Sequence, residues 1–319
     1  MIRAWNSNFK LSTSFYQISD RSSKYLIDFI KTSEICQNYT FILKLQNLIL
    51  NDELRHILSD DIKMIKSNLY NGNGFIIIKP IKSLNIYEQA IIPWIIGQCL
   101  GETVGQNYND DKLYIVNDIG GKMEDGYRYS RTNQGGSIHT DGVNVKIPID
   151  SFLLHSITEG MEGGESIIVN GISVYKYLEN KHPHVMKILK ENFKWEYKGV
   201  QKNKFYSEPI LKIVNGNPEW RYLRNYIEEA AIKSSQGLSI KKIWAMDCLD
   251  SILESSFFQV RYKLKKGETL IINDRCVFHG RTSFVDYMNS NHFKDTNKQR
   301  DMNKVLKRTG LRIWVKNSL

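Results

Sequence analysis

Residues 135–144 read GGSIHTDGVN, and residues 273–284 read NDRCVFHGRTSF. In the first stretch a histidine and an aspartate stand two positions apart. Alternate side chains of a strand share a face, so His139 and Asp141 can point at one ion while Thr140 points away. His279, 138 positions beyond Asp141, brings a second imidazole from a distant part of the chain. Two nitrogens and one carboxylate oxygen on one face leave the remaining octahedral positions open, a donor set that suits non-haem Fe(II) and oxygen activation. Such a face needs a fold in which strands far apart in sequence become neighbours.

The sequence around both stretches supplies those strands. Upstream, the turn signal Asn71-Gly72-Asn73-Gly74 precedes Phe75-Ile76-Ile77-Ile78, a short apolar run stopped by Pro80. After Asp141, residues 151–158 and 165–170 are short β-type runs separated by Gly160 and Gly163-Gly164. Phe258, Val260, Tyr262 and Leu264 alternate with Gln259, Arg261, Lys263 and Lys265, the period of a half-buried strand, and Gly267 turns this run into Thr269–Asn273 and on to His279. Helical patterns occupy residues 24–30, much of 41–69, 86–101, 173–178, 183–192, 221–233 and 239–254. The expected fold is therefore mainly β with helices (α+β), a sandwich or open barrel of jelly-roll type. A helical segment at residues 1–70 and a helix-rich insertion at 174–256 decorate it. No repeat, low-complexity tract or Pro/Gly/Ser linker interrupts the chain, so residues 1–319 are expected to form one domain.

Composition excludes several classes. At 319 residues, with 41% hydrophobic and 24% charged residues, the chain has the balance of a soluble globular protein. No window approaches the ~18 apolar residues of a membrane span, and the first residues lack the pattern of a signal peptide. Cys36, Cys99, Cys248 and Cys276 are scattered without a CxxC pair, which reads as reduced thiols in a cytoplasmic protein. The net charge of +10 is spread along the sequence. Without a basic cluster interleaved with aromatics it argues for a solvated surface and against a nucleic-acid partner. Assembly into a homo-oligomer is left open.

The other histidines fit ordinary roles. His155 lies on an apolar strand and reads as a core histidine; His182 and His184 flank a proline at a helix start; His56 and His292 have polar surroundings. Near the end, Arg308 and Arg312 frame KRTGLRIWVK (307–316), a strand that can carry guanidinium groups on one side. A guanidinium fork matches a carboxylate bidentately. A basic edge strand that resists aggregation has the same pattern.

From His139 onward the chain resembles the taurine dioxygenase family of Fe(II)- and 2-oxoglutarate-dependent oxygenases and their clavaminate-synthase-like relatives. The matching motifs, in order, are HTDG (139–142), FLLHSITEGMEGGESIIVNG (152–171), WRYLRNYIEEA (220–230), KKGETLIINDRCVFHGRTSF (265–284) and RTGLRIWV (308–315). GNGFIIIKP (72–80) resembles the family's first core strand. The resemblance implies a double-stranded β-helix core with His139, Asp141 and His279 as iron ligands. It implies that Ser166 and Arg308 hold the far carboxylate of 2-oxoglutarate, and that Arg312 contacts the substrate or supports the site. Fe(II), 2-oxoglutarate and O2 would then oxidise a small-molecule substrate. Asp141, a carboxylate where related halogenases have a small residue, points to hydroxylation, desaturation or ring formation over halogenation.

One departure stands out. Arg308 follows His279 by 29 residues, a wider gap than the family usually has, filled by the polar stretch YMNSNHFKDTNKQRDMNK (287–304). This stretch is expected to be an inserted loop near the site mouth, and Arg300 or Arg281 is the alternative partner for the co-substrate. Residues 108–133, including Tyr127, Arg128 and Tyr129, lead into the first ligand and are expected to line the substrate pocket, with Tyr129 and Arg131 touching the substrate. Relatives act on sulfonates, betaines, amino acids and natural-product intermediates. The aromatics and Arg131 favour an amino acid or an amino-acid-derived intermediate.

Overall fold

The computed structural model describes residues 2–33, 45, 48–198, 200–201, 204–235, 237–287 and 307–317. In chain order its strands are β1 (Phe15–Tyr16), β2 (Phe75–Ile78), β3 (Glu102–Val104), β4 (Leu113–Asn117), β5 (Gly136–His139), β6 (Ser151–Thr158), β7 (Glu162–Gly163) and β8 (Ser166–Asn170). Then come β9 (Asn192–Glu196), β10 (Phe205–Pro209), β11 (Leu211–Val214), β12 (Asn217–Trp220), β13 (Gln259–Tyr262), β14 (Thr269–Asn273), β15 (Val277–Arg281), β16 (Phe284–Val285) and β17 (Thr309–Lys316). The helices that matter for packing are α1 (Asp20–Thr32), α2 (Ser59–Asn71), α3 (Ile91–Leu100), α4 (Gly171–Lys181), α5 (Pro183–Leu189), α6 (Arg224–Lys233) and α7 (Ile240–Glu254).

Two sheets form the core. The larger runs β1-β2-β14-β6-β17-β3, with β4 also paired to β17; the smaller runs β13-β8-β15-β5. Period-two alternation decides which side chains fill the space between them. From the larger sheet Phe75, Ile77, Phe152, Leu270, Ile272 and Trp314 pack with Ile168, Val260 and Val277 of the smaller. The intervening residues of the larger sheet (Ile76, Ile78, Leu153, Ile157, Ile271, Leu311, Ile313 and Val315) meet α1, α2 and α3 on its outer face. The outer face of the smaller sheet, through Ile138, Ile167, Val169 and Phe278, packs on the segment that holds α4, α5, α6 and α7. This is the jelly-roll with helical additions that the sequence implies. Each sheet is buried on both faces, so its central strands read as continuous apolar runs.

Three local expectations are corrected. The strand bearing the first ligand stops at His139, and Asp141 sits in a bend with Gly142 at φ +64° beyond it. The cause is a pair of hydrogen bonds that pull Thr140 out of the ladder: its N–H donates to the Tyr222 carbonyl at 2.8 Å and its Oγ1 accepts from the Tyr222 N–H at 3.0 Å. The insertion is less helical than expected, because it contains the hairpins β9–β10 and β11–β12. The strand expected over 258–265 is confined to β13, since Ser256–Phe258 forms a 3-10 turn. The stretch 288–304, Arg300 and His292, and most of 34–47 including Cys36, lie outside the described residues.

Candidate metal and co-substrate site

The antiparallel pairing of β5 and β15 sets His139 directly opposite His279. Their rings lie 4.6 Å apart, and the far face of His279 stacks on Phe152 of the larger sheet at 4.3 Å. Asp141 reaches the same point from the bend, with Oδ1 3.8 Å from His139 Nε2 and Oδ2 3.8 Å from His279 Nε2. One donor atom from each residue lies within 4.8 Å of the other two, the only such cluster of three among the described residues.

The groups around these three set their orientation and charge. His139 Nδ1 lies 2.7 Å from the Ser137 carbonyl, an acceptor that makes it the N–H and leaves Nε2 with a free lone pair. Burial lowers the pKa of both imidazoles, that of His279 to about 3 with the help of neighbouring His139, so both are neutral and able to ligate. Asp141 is also buried. The Arg312 guanidinium foremost, with the hydrogen bond from the Trp314 indole, outweighs that burial and holds its carboxyl below the usual range. Trp314 Nε1 donates to Oδ2 at 2.9 Å, and Arg312 Nη1 lies 3.3 Å from the same oxygen. Gln106 Oε1 fixes Arg312 by accepting from its Nε at 2.7 Å. Behind the metal face, Asp274 accepts from the Asp141 N–H at 3.1 Å and lies 3.4 Å from His279 Nδ1. A neutral pair of imidazoles and an ionised carboxylate, with His139 and Asp141 held by hydrogen bonds, fit a divalent metal of the Fe(II) type.

Beside the triad a cavity opens between the sheets, lined by the polar side chains of Tyr129, Ser166, Arg281 and Arg308 and by the apolar ones of Val116, Phe152, Leu154 and Leu270. Arg308 is buried, and its Nη1 has no hydrogen-bond partner. Burial, and then the charge of Arg281, depress its pKa to about 10, so it remains a cation at neutral pH. Its backbone N–H donates to Asp286 Oδ1 at 2.6 Å, which anchors the start of β17. Gly164, at φ +72°, makes room for it: a Cβ there would lie 2.8 Å from Arg308 Nε. Arg281, the alternative partner, is committed elsewhere. Its Nη2 donates to the carbonyls of Thr132 and Gln134 at 2.9 and 2.7 Å, and its plane covers the Tyr129 ring. A buried guanidinium with a free donor, on a cavity that reaches His139 and His279 between apolar side chains, fits a dicarboxylate that would meet the metal at its other end.

A second, larger space also borders His139 and Asp141 and is lined in part by Arg128, Tyr129, Asn144, Lys198, Asn225 and Glu229. Tyr129 and Arg312 border both spaces. Arg131 does not reach either: its Nη1 donates to Asn117 Oδ1 at 2.8 Å and to the Ile115 carbonyl at 3.1 Å, which turns it toward β4. Arg128 is the arginine of that loop that borders the space. Sequence reasoning placed Arg128 in the pocket-lining segment without giving it a role, and it missed Gln106, Asp274 and the contact of Trp314. Only Trp314 carried a signal, since it shares the alternation of Arg312 on β17.

Comparison with known proteins agrees with this geometry. The model of the family described as "Taurine catabolism dioxygenase TauD, TfdA family" matches residues 48–306. The chain is 23% identical over 227 residues to FR-33289 synthase of Streptomyces rubellomurinus, covering 68% of this chain and 65% of that protein. It is 25% identical over 276 residues to the mitochondrial trimethyllysine dioxygenase of Mus musculus, covering 73% of this chain and 65% of that protein. The chain thus spans just under two thirds of the length of these curated relatives. Among solved structures, an asparagine oxygenase in complex with Fe(II), 2S,3S-3-hydroxyasparagine and succinate superposes with a TM-score of 0.67 at 15% identity, covering 95% of this chain and 93% of that one. The non-heme iron oxygenase OrfP in complex with Fe and alpha-ketoglutaric acid gives 0.65 at 12% identity, covering 96% and 95%. The family model spans most of the sequence and takes in the triad, and on that ground the chain belongs to the TauD/TfdA dioxygenase family.

Proposed function

We propose that residues 1–319 act as one Fe(II)- and 2-oxoglutarate-dependent oxygenase domain that hydroxylates an unactivated C–H bond of an amino acid or amino-acid-derived metabolite. The observation that carries this reading is Arg308, a buried cation with a free donor on the cavity that leads to the triad. His139, Asp141 and His279 would hold the metal, and Ser166 and Arg308 the far carboxylate of 2-oxoglutarate. When bound, the metal and 2-oxoglutarate supply the oxidising chemistry with O2, releasing succinate and carbon dioxide and placing one oxygen atom on the substrate.

The chain's own residues supply position and dryness. Ser137 keeps His139 Nε2 turned to the metal, and Trp314 fixes one carboxylate oxygen of Asp141. Val116, Phe152, Leu154 and Leu270 exclude water from the co-substrate cavity. The larger space offers cationic, anionic and amide groups together, the complement of a small zwitterion. Lys198 and Glu229 there neutralise each other at 2.7 Å, which leaves Arg128 as the cation facing the space without a carboxylate partner among the described residues. Arg128 therefore supports a substrate that carries a carboxylate. The names of the relatives, which include a trimethyllysine dioxygenase and an asparagine oxygenase, support the amino-acid class.

The test is succinate release from 2-oxoglutarate by the Fe(II)-loaded protein under air, across a panel of free L-amino acids and their N-methylated and hydroxylated derivatives. At least one should stimulate release and gain a single oxygen atom by mass spectrometry. No release above the substrate-free rate with any member, alongside intact metal binding, would overturn the reading.

A further inference from the structure

Among the described residues, four buried side-chain nitrogen or oxygen atoms lack a hydrogen-bond partner: Tyr129 OH, His155 Nε2, His279 Nδ1 and Arg308 Nη1. His155 faces the helical layer. The other three residues line the cavity beside the metal face, and His279 belongs to the triad already described. Two donors remain, a phenol and a guanidinium, on the same cavity. Leaving a buried hydroxyl unsatisfied is costly, so a hydroxyl held in that state marks a place where a ligand completes the bond.

The Tyr129 ring is fixed from three sides. Arg281 covers it with its cation 4.6 Å from the ring centre, and the His139 ring meets it edge-on at 5.9 Å and 86°. Gly136 of β5 provides the third side, because a Cβ at that position would overlap the ring. Tyr129 lines the same cavity as Ser166, Arg281 and Arg308, and the two arginine charges act on its hydroxyl more strongly than Asp141 does. Burial also keeps the phenol protonated, hence a donor.

We propose that the Tyr129 hydroxyl donates a hydrogen bond to the far carboxylate of 2-oxoglutarate, completing a cradle with Arg308 and Ser166. This assignment rests on the co-substrate reading above. It moves Tyr129 from the substrate pocket, where the sequence suggested it, to the partition between the two spaces. One edge of its ring borders the substrate space while the hydroxyl reads the co-substrate.

The test is calorimetric titration of 2-oxoglutarate into the Mn(II)-loaded full chain, comparing the native protein with Tyr129→Phe, which keeps the ring and its packing. The dissociation constant should rise about ten-fold in the variant, the usual effect of losing a hydrogen bond to a charged group. 2-Oxopentanoate, which lacks the far carboxylate, should compete equally well against both proteins. Unchanged affinity for 2-oxoglutarate, or an equal loss for both 2-oxo acids, would overturn the assignment. Arg308→Met separates the two readings. If it weakens 2-oxoglutarate while Tyr129→Phe does not, only the Tyr129 assignment fails; if neither weakens it, the co-substrate reading fails as well.

Discussion

His155 makes one hydrogen bond, at 3.0 Å between Nδ1 and Thr269 Oγ1, and its Nε2 makes none. It is fully buried against the helical layer, and burial lowers its pKa from 6.5 to about 3. The folded protein therefore keeps this imidazole neutral at pH values where the unfolded chain protonates it. The unfolded state binds the extra proton below pH 6.5, so stability is intact above that value and falls as pH drops toward 3. At about 1.4 kcal/mol per pH unit, roughly 2 kcal/mol is lost between pH 6.5 and pH 5. His155→Gln should unfold at a urea midpoint that moves less between pH 7 and pH 5 than that of the native protein; equal movement would assign the acid sensitivity to other groups. The sequence showed His155 as a core residue because its apolar neighbours are adjacent. It showed the triad because His139 and Asp141 are two apart and His279 sits in an equally distinctive turn. The brace on Asp141 was hidden because it joins Asp141 to Asp274, Arg312 and Trp314, more than 130 residues away in each case.

At the scale of elements, the turn from β7 to β8 and the start of β17 form one unit. Gly163 and Gly164, both at positive φ, pass the chain beneath Arg308, and β8 then delivers Ser166 to the same cavity. Gly164→Ala introduces a Cβ 2.8 Å from Arg308 Nε and a strained backbone. We expect it to raise the dissociation constant of 2-oxoglutarate by about ten-fold, as loss of one charge-assisted hydrogen bond would, while Mn(II) affinity stays within two-fold of native. Calorimetry on the two ligands separately checks this, and a parallel loss of metal binding would show that the turn supports the triad as well. The glycine pair was visible in the sequence as a turn, but its partner was not, since β17 lies beyond the long polar stretch after His279. Of the insertion's hairpins, β9–β10 did carry a signal, since Phe193 and Trp195 alternate with polar residues, whereas β11–β12 was hidden for a different reason. In β11 three of four residues are exposed and in β12 a proline sits among polar residues, so neither has the apolar alternation that identifies a strand.

In the whole molecule the metal face joins the two sheets. Both imidazoles belong to the smaller sheet, whereas the groups that hold Asp141, Arg312 and Trp314, come from β17 of the larger one. Without a metal, Asp141 leans on Arg312 and Trp314; with one, the same carboxylate would tie β17 to β5 and β15 through the ion. A ligand that binds the folded state alone stabilises it by RT ln(1 + [L]/Kd), about 2.7 kcal/mol at a hundred-fold excess over Kd. For a chain of 319 residues that corresponds to a rise of about 4 °C in unfolding temperature. Thermal unfolding with EDTA and with saturating Mn(II) should show that rise in the native protein and none in His139→Ala. Because the fully buried Phe278 and Val277 hold β15 in place independently of the ion, the His139→Ala protein should still unfold cooperatively in EDTA. A variant that unfolds without a transition would mean that the imidazole pair, not the packing on either side of it, holds the smaller sheet together.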